Sequence, residues 1–512
     1  MEKTDIETRI SENLKKKLLS NNQNHLLSFL SYIESEKEQE KFIKQIEETD
    51  LELMSNLYSI YKENKAEKTI HSNDISFIES QFSQENLSNE LNEIIKKGNE
   101  EIAQGKIALL ILAGGLGTRL GFEKAKGLFN IQMPSNKSLF EYLCNRFLLS
   151  QFLSKERTKN INFKESTLFI MTSQHNHKDI TQFFKEHNYF HLKQENVIFF
   201  PQNEVCGLDL NGKVINISPS ELYQAPDGNG GCFTAMKQNK IIQICKERQI
   251  DFINVISIDN PLFKVIDPLF VGTLCLKGKC GINQMGAKFV KKVDVNERVG
   301  LFLNFKNHPM MLDYMEVPAE LREKRRDNGD LVYNASNILD YLISVNFLDK
   351  ILNDEAKFKE LINEFHILKK KFNACYIDEK EKKINYVKDI DGLKFEIFFN
   401  SIFEFAEKEG LLLLEVKRED EFVPIKNKDG ESSNTPSITR IKMSNFFKRK
   451  YKEIGGEILN DSSEKMLEFS LLINFDGETN QTFFSKYPYI PKKIDLNNYE
   501  KGVYFKNEDI EQ

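Results

Sequence analysis

Four glycines and two cations crowd one turn of this chain. Residues 109–121 read L-L-I-L-A-G-G-L-G-T-R-L-G, and Lys126 follows five residues later. The unbroken apolar run from Ile107 to Ala113 predicts a buried strand, so Gly114, Gly115 and Gly117 stand where a strand runs into a turn. Backbone amides with no side chain in front of them suit a phosphate oxyanion. Arg119 and Lys126 add fixed positive charge beside that turn. The pattern predicts a phosphate site, and with it a nucleotide site. Spacing excludes two common classes of such site. No glycine pair here is followed by Lys and a hydroxyl, as a Walker A loop requires, and a dinucleotide fingerprint would need glycine where Leu120 stands. A turn with only a structural role would use glycine for positive φ and would have no need of two neighbouring cations.

Three further segments carry groups able to do chemistry. Asp259 ends the apolar run Asn254–Asp259, and beside a polyphosphate a single strand-end carboxylate can serve Mg2+ or Mn2+. The run A-P-D-G-N-G-G at 225–231 is a tight turn richer in Gly and Asn than a two-residue hairpin loop demands, and a helical stretch follows it. Arg418, Glu419, Asp420, Glu421 and Phe422 form a charge run that leads through Pro424 to Lys426. By contrast, His175-Asn176-His177 lacks a further ligand at metal spacing and reads as a loop or a helix start.

The elements that must position these groups follow from periodicity. Residues 1–100 are charged, with apolar residues at helical steps (Leu26, Leu27, Phe29, Leu30, Ile33; Leu51, Leu53, Met54, Leu57), which predicts a helical N-terminal region. From 101 to 428, strands at 107–113, 167–172, 196–200 and 254–259 alternate with helices at 139–152, 177–187 and 233–249. That alternation predicts an α/β, Rossmann-like domain with a mostly parallel sheet and ligands at the carboxyl ends of its strands. Residues 428–434 are rich in Ser, Asn and Asp, and 429–512 read as a small C-terminal domain containing β-strands. A length of 512 residues suits several domains. The net charge of −6 argues against non-specific nucleic-acid binding, so the positive groups must act locally on a small anion. No apolar run reaches the ~20 residues that a membrane span needs, and no secretory leader is visible. Seven cysteines without a Cys-x-x-Cys pair suggest free thiols in the cytoplasm.

The glycine turn with Lys126-Gly127, the 225–231 loop and the 418–427 segment together resemble the eukaryotic UDP-N-acetylhexosamine pyrophosphorylases, and the likeness runs through most of the chain. The resemblance implies nucleotide contacts from Leu112, Ala113, Gly114, Gly115, Gly117, Gly228 and Asn229, with uracil read by Gln202, whose amide can both donate and accept. It implies that Asp259 lies near the metal, that Lys426 reaches the phosphate of the sugar, and that Gly300, Asp313, Asn337 and Phe398 line the sugar. Departures occur at the sugar end. N-A-S-N stands at 334–337 for the family's N-A-G-N, Asp313 stands for a glutamate, and F-F-N-S at 398–401 stands for F-x-F-D.

The implied activity is a Mg2+-assisted, one-step in-line reaction. It converts UTP and N-acetylglucosamine 1-phosphate into UDP-N-acetylglucosamine and pyrophosphate. Arg119, Lys126 and Lys426 are the expected catalytic cations, and the chain is expected to be a monomer or weak homodimer without nucleic-acid or membrane partners. Two alternatives stand beside it: a uridylyltransferase for another sugar 1-phosphate or for several, and a nucleotide-sugar sensor without turnover. The acids of the charge run are expected to position Arg418 and its loop.

Overall fold

The apolar run that precedes the glycine turn is a strand, Ile107–Leu112 (β1), with all six residues buried. In a computed structural model of the chain, the described residues are 10–63, 72–77, 82–159, 162–278, 285–306, 308–314, 316–378, 380–407, 410–462, 464–500 and 502–508. They group into two units. One consists of Met1–Thr69, Gln202–Ala235 and Ala356–Ser401, and the other of Ile70–Pro201, Met236–Glu355 and Ile402–Gln512.

The second unit is built on a sheet. Its principal strands after β1 are Leu168–Thr172 (β2), Val197–Pro201 (β3), Phe252–Ser257 (β4), Met285–Lys291 (β5), Ala335–Ser344 (β6) and Leu411–Glu415 (β7). They lie in the order β7-β5-β6-β4-β1-β2-β3, with the short strand Phe82–Ser83 beyond β7. Neighbours are parallel except that β6 runs antiparallel to both β4 and β5. The mostly parallel, Rossmann-like sheet expected from the alternation is therefore present. Strand order reverses at β1: the next strands in sequence, β2 and β3, lie to one side, and β4 returns to the other. A crevice at such a reversal is where open α/β sheets bind ligands.

Helices Leu91–Ala103 (α1), Leu139–Thr158 (α2), His177–Glu186 (α3), Pro268–Lys277 (α4) and Pro436–Glu453 (α5) belong to the same unit. Each start has a local cause where a cap is formed: Ser138 accepts from Glu141 N, Asp267 from Leu269 N ahead of a proline, and Thr435 from Ile438 N. Met443, Phe446 and Phe447 of α5 share one apolar core with Leu109 and Ile111 of β1 and with Phe140 of α2. The helix expected over 233–249 is two, Cys232–Gln238 and Ile241–Glu247, because Lys240 between them takes left-handed backbone (φ 54°). Among the described residues no helix is long and apolar enough to cross a membrane.

The first unit combines helices and short sheets. Helices Glu12–Ser20, Glu36–Glu48 and Leu51–Lys62 bury Leu18, Phe42, Ile46 and Leu57 against Leu393 and Phe395. The last two residues lie on a long antiparallel hairpin, Phe365–Asp378 with Lys383–Ile397. A two-stranded ribbon pairs Glu204–Cys206 with Gln224–Pro226 and delivers the 225–231 loop.

Candidate active site

The register of the parallel sheet decides what meets at the strand reversal. Ser257 of β4 pairs with Leu112 of β1, so Asp259 and Gly114 leave the same sheet edge two residues later. Asn176, just before α3, donates from Nδ2 to Ala113 O at 3.0 Å and accepts from Ser173 N at 2.8 Å, which ties the root of the glycine turn to β2 and α3. The His-Asn-His segment is thus a helix start.

Past Ala113 the turn folds back on itself: Gly117 N donates to Lys124 O at 3.0 Å, and Lys126 N donates to Gly115 O at 3.2 Å. The amide of Gly117 is therefore committed within the protein, which corrects the expectation that it faces phosphate. A Cβ at this glycine would press on Phe122 O at 2.8 Å, so the residue serves the tight return. The amides of Gly114 and Gly115 donate to no protein acceptor among the described residues.

Lys126, delivered by this return, points its ammonium at Asp259 Oδ2 at 3.4 Å. Burial lowers the Lys126 pKa; Asp259 opposes this, while Lys426 and Arg119 add to it by like-charge repulsion. Burial works against the charged form of Asp259 as well. There Lys126 and Lys426, helped by Ser257 Oγ donating at 2.7 Å, outweigh it and hold the carboxyl below its ordinary range. Lys126 and Lys426, 300 residues apart in sequence, thus act on one carboxylate, and Arg119 acts in turn on Lys126.

Lys426 reaches this place because its segment is stitched to the end of β4. Asn260 Nδ2 donates to Glu421 O at 2.6 Å, Asn260 Oδ1 accepts from Val423 N at 3.0 Å, and Ile425 N donates to Asp259 O at 2.9 Å. Beyond it, Lys426 N donates to Asn434 O at 2.8 Å and closes the 428–434 loop. The charge run is largely inward-facing. Asp420 pairs with Arg449 at 2.5 Å and Glu421 with Lys288 at 2.7 Å. The partner of Arg418 is Glu297, in a two-pronged contact at 2.8 and 2.9 Å, and not an acid of its own run as the sequence suggested.

In the same unit the expected sugar residues Gly300, Asp313 and Asn337 come together. Leu301 pairs with both Leu312 and Ser336, so all three flank one knot of strands, and Asn337 N donates to Gly300 O at 2.8 Å. Asn337 Nδ2 donates to Tyr341 Oη at 2.7 Å and its Oδ1 accepts from Leu339 N at 2.9 Å.

In the first unit, the 225–231 loop is laced to the end of the long hairpin. Ile397 N donates to Asp227 O at 2.7 Å, and Asn229 Oδ1 accepts from Phe399 N at 2.8 Å. Gly228 has φ 91°, and a Cβ there would overlap Ile397 O. Phe398 stacks on His366 with centroids 4.1 Å apart. Gln202 is buried with Oε1 unpartnered among the described residues, and so is Oδ1 of buried Asp227. Burial pushes the Asp227 carboxyl up to about 7, its own backbone opposing and Glu204 assisting.

The sequence matches the UTP–glucose-1-phosphate uridylyltransferase family over residues 51–502. The chain belongs to that family. It is 32% identical to the UDP-N-acetylglucosamine pyrophosphorylase of Saccharomyces cerevisiae over 396 residues, covering 77% of this chain and 79% of the yeast protein. It is 33% identical to the human UDP-N-acetylhexosamine pyrophosphorylase-like protein 1 over 347 residues, 67% of this chain and 65% of the human one. The crystal structure of the uridine diphosphate N-acetylglucosamine pyrophosphorylase of Trypanosoma brucei shares the fold, with a TM-score of 0.76 at 24% identity over 96% of this chain and 98% of that one.

Within this uridylyltransferase fold, sequence reasoning missed the residues that place the charges: Asn176, Ser257, Asn260 and Lys288. A signal existed for Asn176, since Ser173 and Asn176 have the spacing of a turn that opens a helix. For Lys288, which sits amid the run M-G-A-K-F-V, there was none.

Proposed function

We propose that the chain is a uridylyltransferase that joins UTP to N-acetylglucosamine 1-phosphate, giving UDP-N-acetylglucosamine and pyrophosphate. The observation that carries this reading is that Lys126 and Lys426 act on Asp259, and Arg119 on Lys126, at the ends of two adjacent parallel strands. A phosphate monoester is already largely dianionic near neutral pH, its second pKa being about 6. No general base is therefore required. The difficulty is to bring two polyanions together, and positioning with charge stabilisation meets it.

The sugar phosphate oxygen attacks the α-phosphorus in line. The bond from that phosphorus to the β-bridging oxygen breaks, and pyrophosphate leaves with the electron pair. Lys126, Arg119 and the amides of Gly114 and Gly115 hold the departing phosphates, while Lys426 neutralises the incoming phosphate. Asp259 fits a divalent cation: it is one carboxylate held ionised, which suits an ion that takes its other ligands from water and phosphate. When bound, Mg2+ or Mn2+ supplies charge neutralisation between phosphate groups. Leu112, Ala113, Gln202, Gly228 and Asn229 are assigned to the nucleotide, and Gly300, Asp313, Asn337 and Phe398 to the sugar. All six described cysteines are free thiols, which suits the reducing cytoplasm.

The test is pyrophosphate release from UTP and Mg2+ with a panel of sugar 1-phosphates. N-acetylglucosamine 1-phosphate should give the highest kcat/KM, and no release with any sugar would refute the reading. A broader uridylyltransferase is the second reading, favoured by the internal hydrogen bonds that already engage both polar atoms of the Asn337 side chain. Turnover indifferent to the 2-acetamido group would establish it.

A further inference from the structure

Directly beneath the Lys426 segment lies a buried ammonium that the proposed chemistry does not use. Lys288, on β5, has no exposed side-chain surface and faces three carboxylates: Glu421 at 2.7 Å, Asp267 at 2.9 Å and Asp340 at 3.6 Å. It also donates to Lys264 O at 3.2 Å and lies over the Phe270 ring. Two of these acids belong to regular elements and are engaged there. Asp267 caps α4 by accepting from Leu269 N, and Asp340 on β6 accepts from Asn254 Nδ2 at 2.7 Å. Glu421 differs, because it ends the four-residue helical turn Arg418–Glu421 and leads straight into the strap that carries Lys426.

A buried ion pair is weak support for stability, since apolar side chains of the same volume would serve at least as well, but it fixes one geometry. Here that geometry propagates. With the Glu421 carboxylate held on Lys288, the Glu421 carbonyl meets Asn260 Nδ2, Val423 N meets Asn260 Oδ1, and Ile425 N meets the Asp259 carbonyl. Lys426 is the next residue.

We propose that Lys288 is a positioning residue for Lys426, acting through Glu421 to seat the 421–426 strap against Asp259 and Asn260. The catalytic consequence rests on the role given to Lys426 above; the seating itself does not.

Lys288→Met leaves three buried carboxylates without their cation and is at risk of not folding. Glu421→Ala leaves Lys288 compensated by Asp267 and Asp340, and it carries the test. Hydrogen exchange at the Val423 and Ile425 amides should quicken by roughly tenfold or more in Glu421→Ala, with the amides of β1 unchanged, because only a local opening is promoted. Turnover should fall by on the order of tenfold to a hundredfold, the scale of a 1 Å misplacement, with KM for UTP unaltered. Glu421→Gln, whose amide oxygen still accepts from Lys288, should recover most of it. In a Lys426→Ala background, Glu421→Ala should cost no further turnover. Unchanged exchange at 423 and 425, or a full additional loss in the Lys426→Ala background, overturns the proposal. A wild-type chain that makes no UDP-sugar would defeat the proposed function instead, and the exchange measurement would still decide the positioning.

Discussion

Asp227, in the middle of the 225–231 loop, offers the most quantitative test. Its carboxyl is buried, its Oδ1 has no partner among the described residues, and its pKa rises from 3.8 to about 7. Unfolded, the group loses its proton near its ordinary pKa of about 3.9. Between those values the folded chain binds one proton more than the unfolded chain. Stability therefore falls as pH rises, by about 1.4 kcal/mol per pH unit, and levels off above the folded pKa. A folded-state pKa raised by roughly three units corresponds to about 4 kcal/mol lost by pH 8 relative to pH 4. Asp227→Asn copies the protonated form and removes this term. The difference in unfolding free energy between the variant and wild type should thus swing by about 3 kcal/mol in the variant's favour from pH 5 to pH 8. The chain has no tryptophan, so urea unfolding is followed by tyrosine fluorescence and circular dichroism. A difference that is the same at both pH values refutes the reasoning, for it would mean that the carboxyl ionises as freely in the folded chain as in water.

Other outcomes follow from the same geometry. Arg119→Ala and Lys426→Ala should fold normally and lose turnover on the order of 10²–10³-fold, the usual cost of removing a charge used in the transition state; wild-type rates in either would reject its assigned role. Gly228→Ala should destabilise by about 1–3 kcal/mol from backbone strain alone, more with the clash against Ile397 O, as read by a lowered urea midpoint. Chelation of divalent cations should abolish pyrophosphate release, and added Mg2+ or Mn2+ should restore it.

What the sequence disclosed and what it hid divide along the range of the interactions. The glycine turn was legible because its strand, its breakers and its cations lie within twenty residues. The place of Asp259 just past a strand end was legible because the apolar run before it marks the strand. The hairpin Phe365–Ile397 was not, since long stretches of it are charged on both faces and show no alternation. Nor was β6, whose antiparallel place between two parallel neighbours depends on partners scattered through the chain. The first unit draws on three separated stretches, whereas a pass along the sequence can divide the chain only into consecutive ones. Gly117 illustrates a finer limit: its position is read correctly, but where its amide points depends on Lys124 O, which the letters do not encode.

Burial explains why so few charges at the strand reversal can be decisive in a chain of net charge −6. Lys426 and Arg119 repel the Lys126 ammonium, and Asp259 offsets part of that repulsion. The fold therefore holds like charges together at a cost that it must itself sustain. Glu421 on Lys288 and Asp420 on Arg449 anchor the Lys426 strap from below and let the fold do so. On the proposed function, a triphosphate arriving there would turn the repulsion into attraction, and in a partly buried site each contact is worth more than it is in water. Binding and preorganisation would then have one origin: the repulsion at the Lys126 ammonium is what a polyanion would relieve.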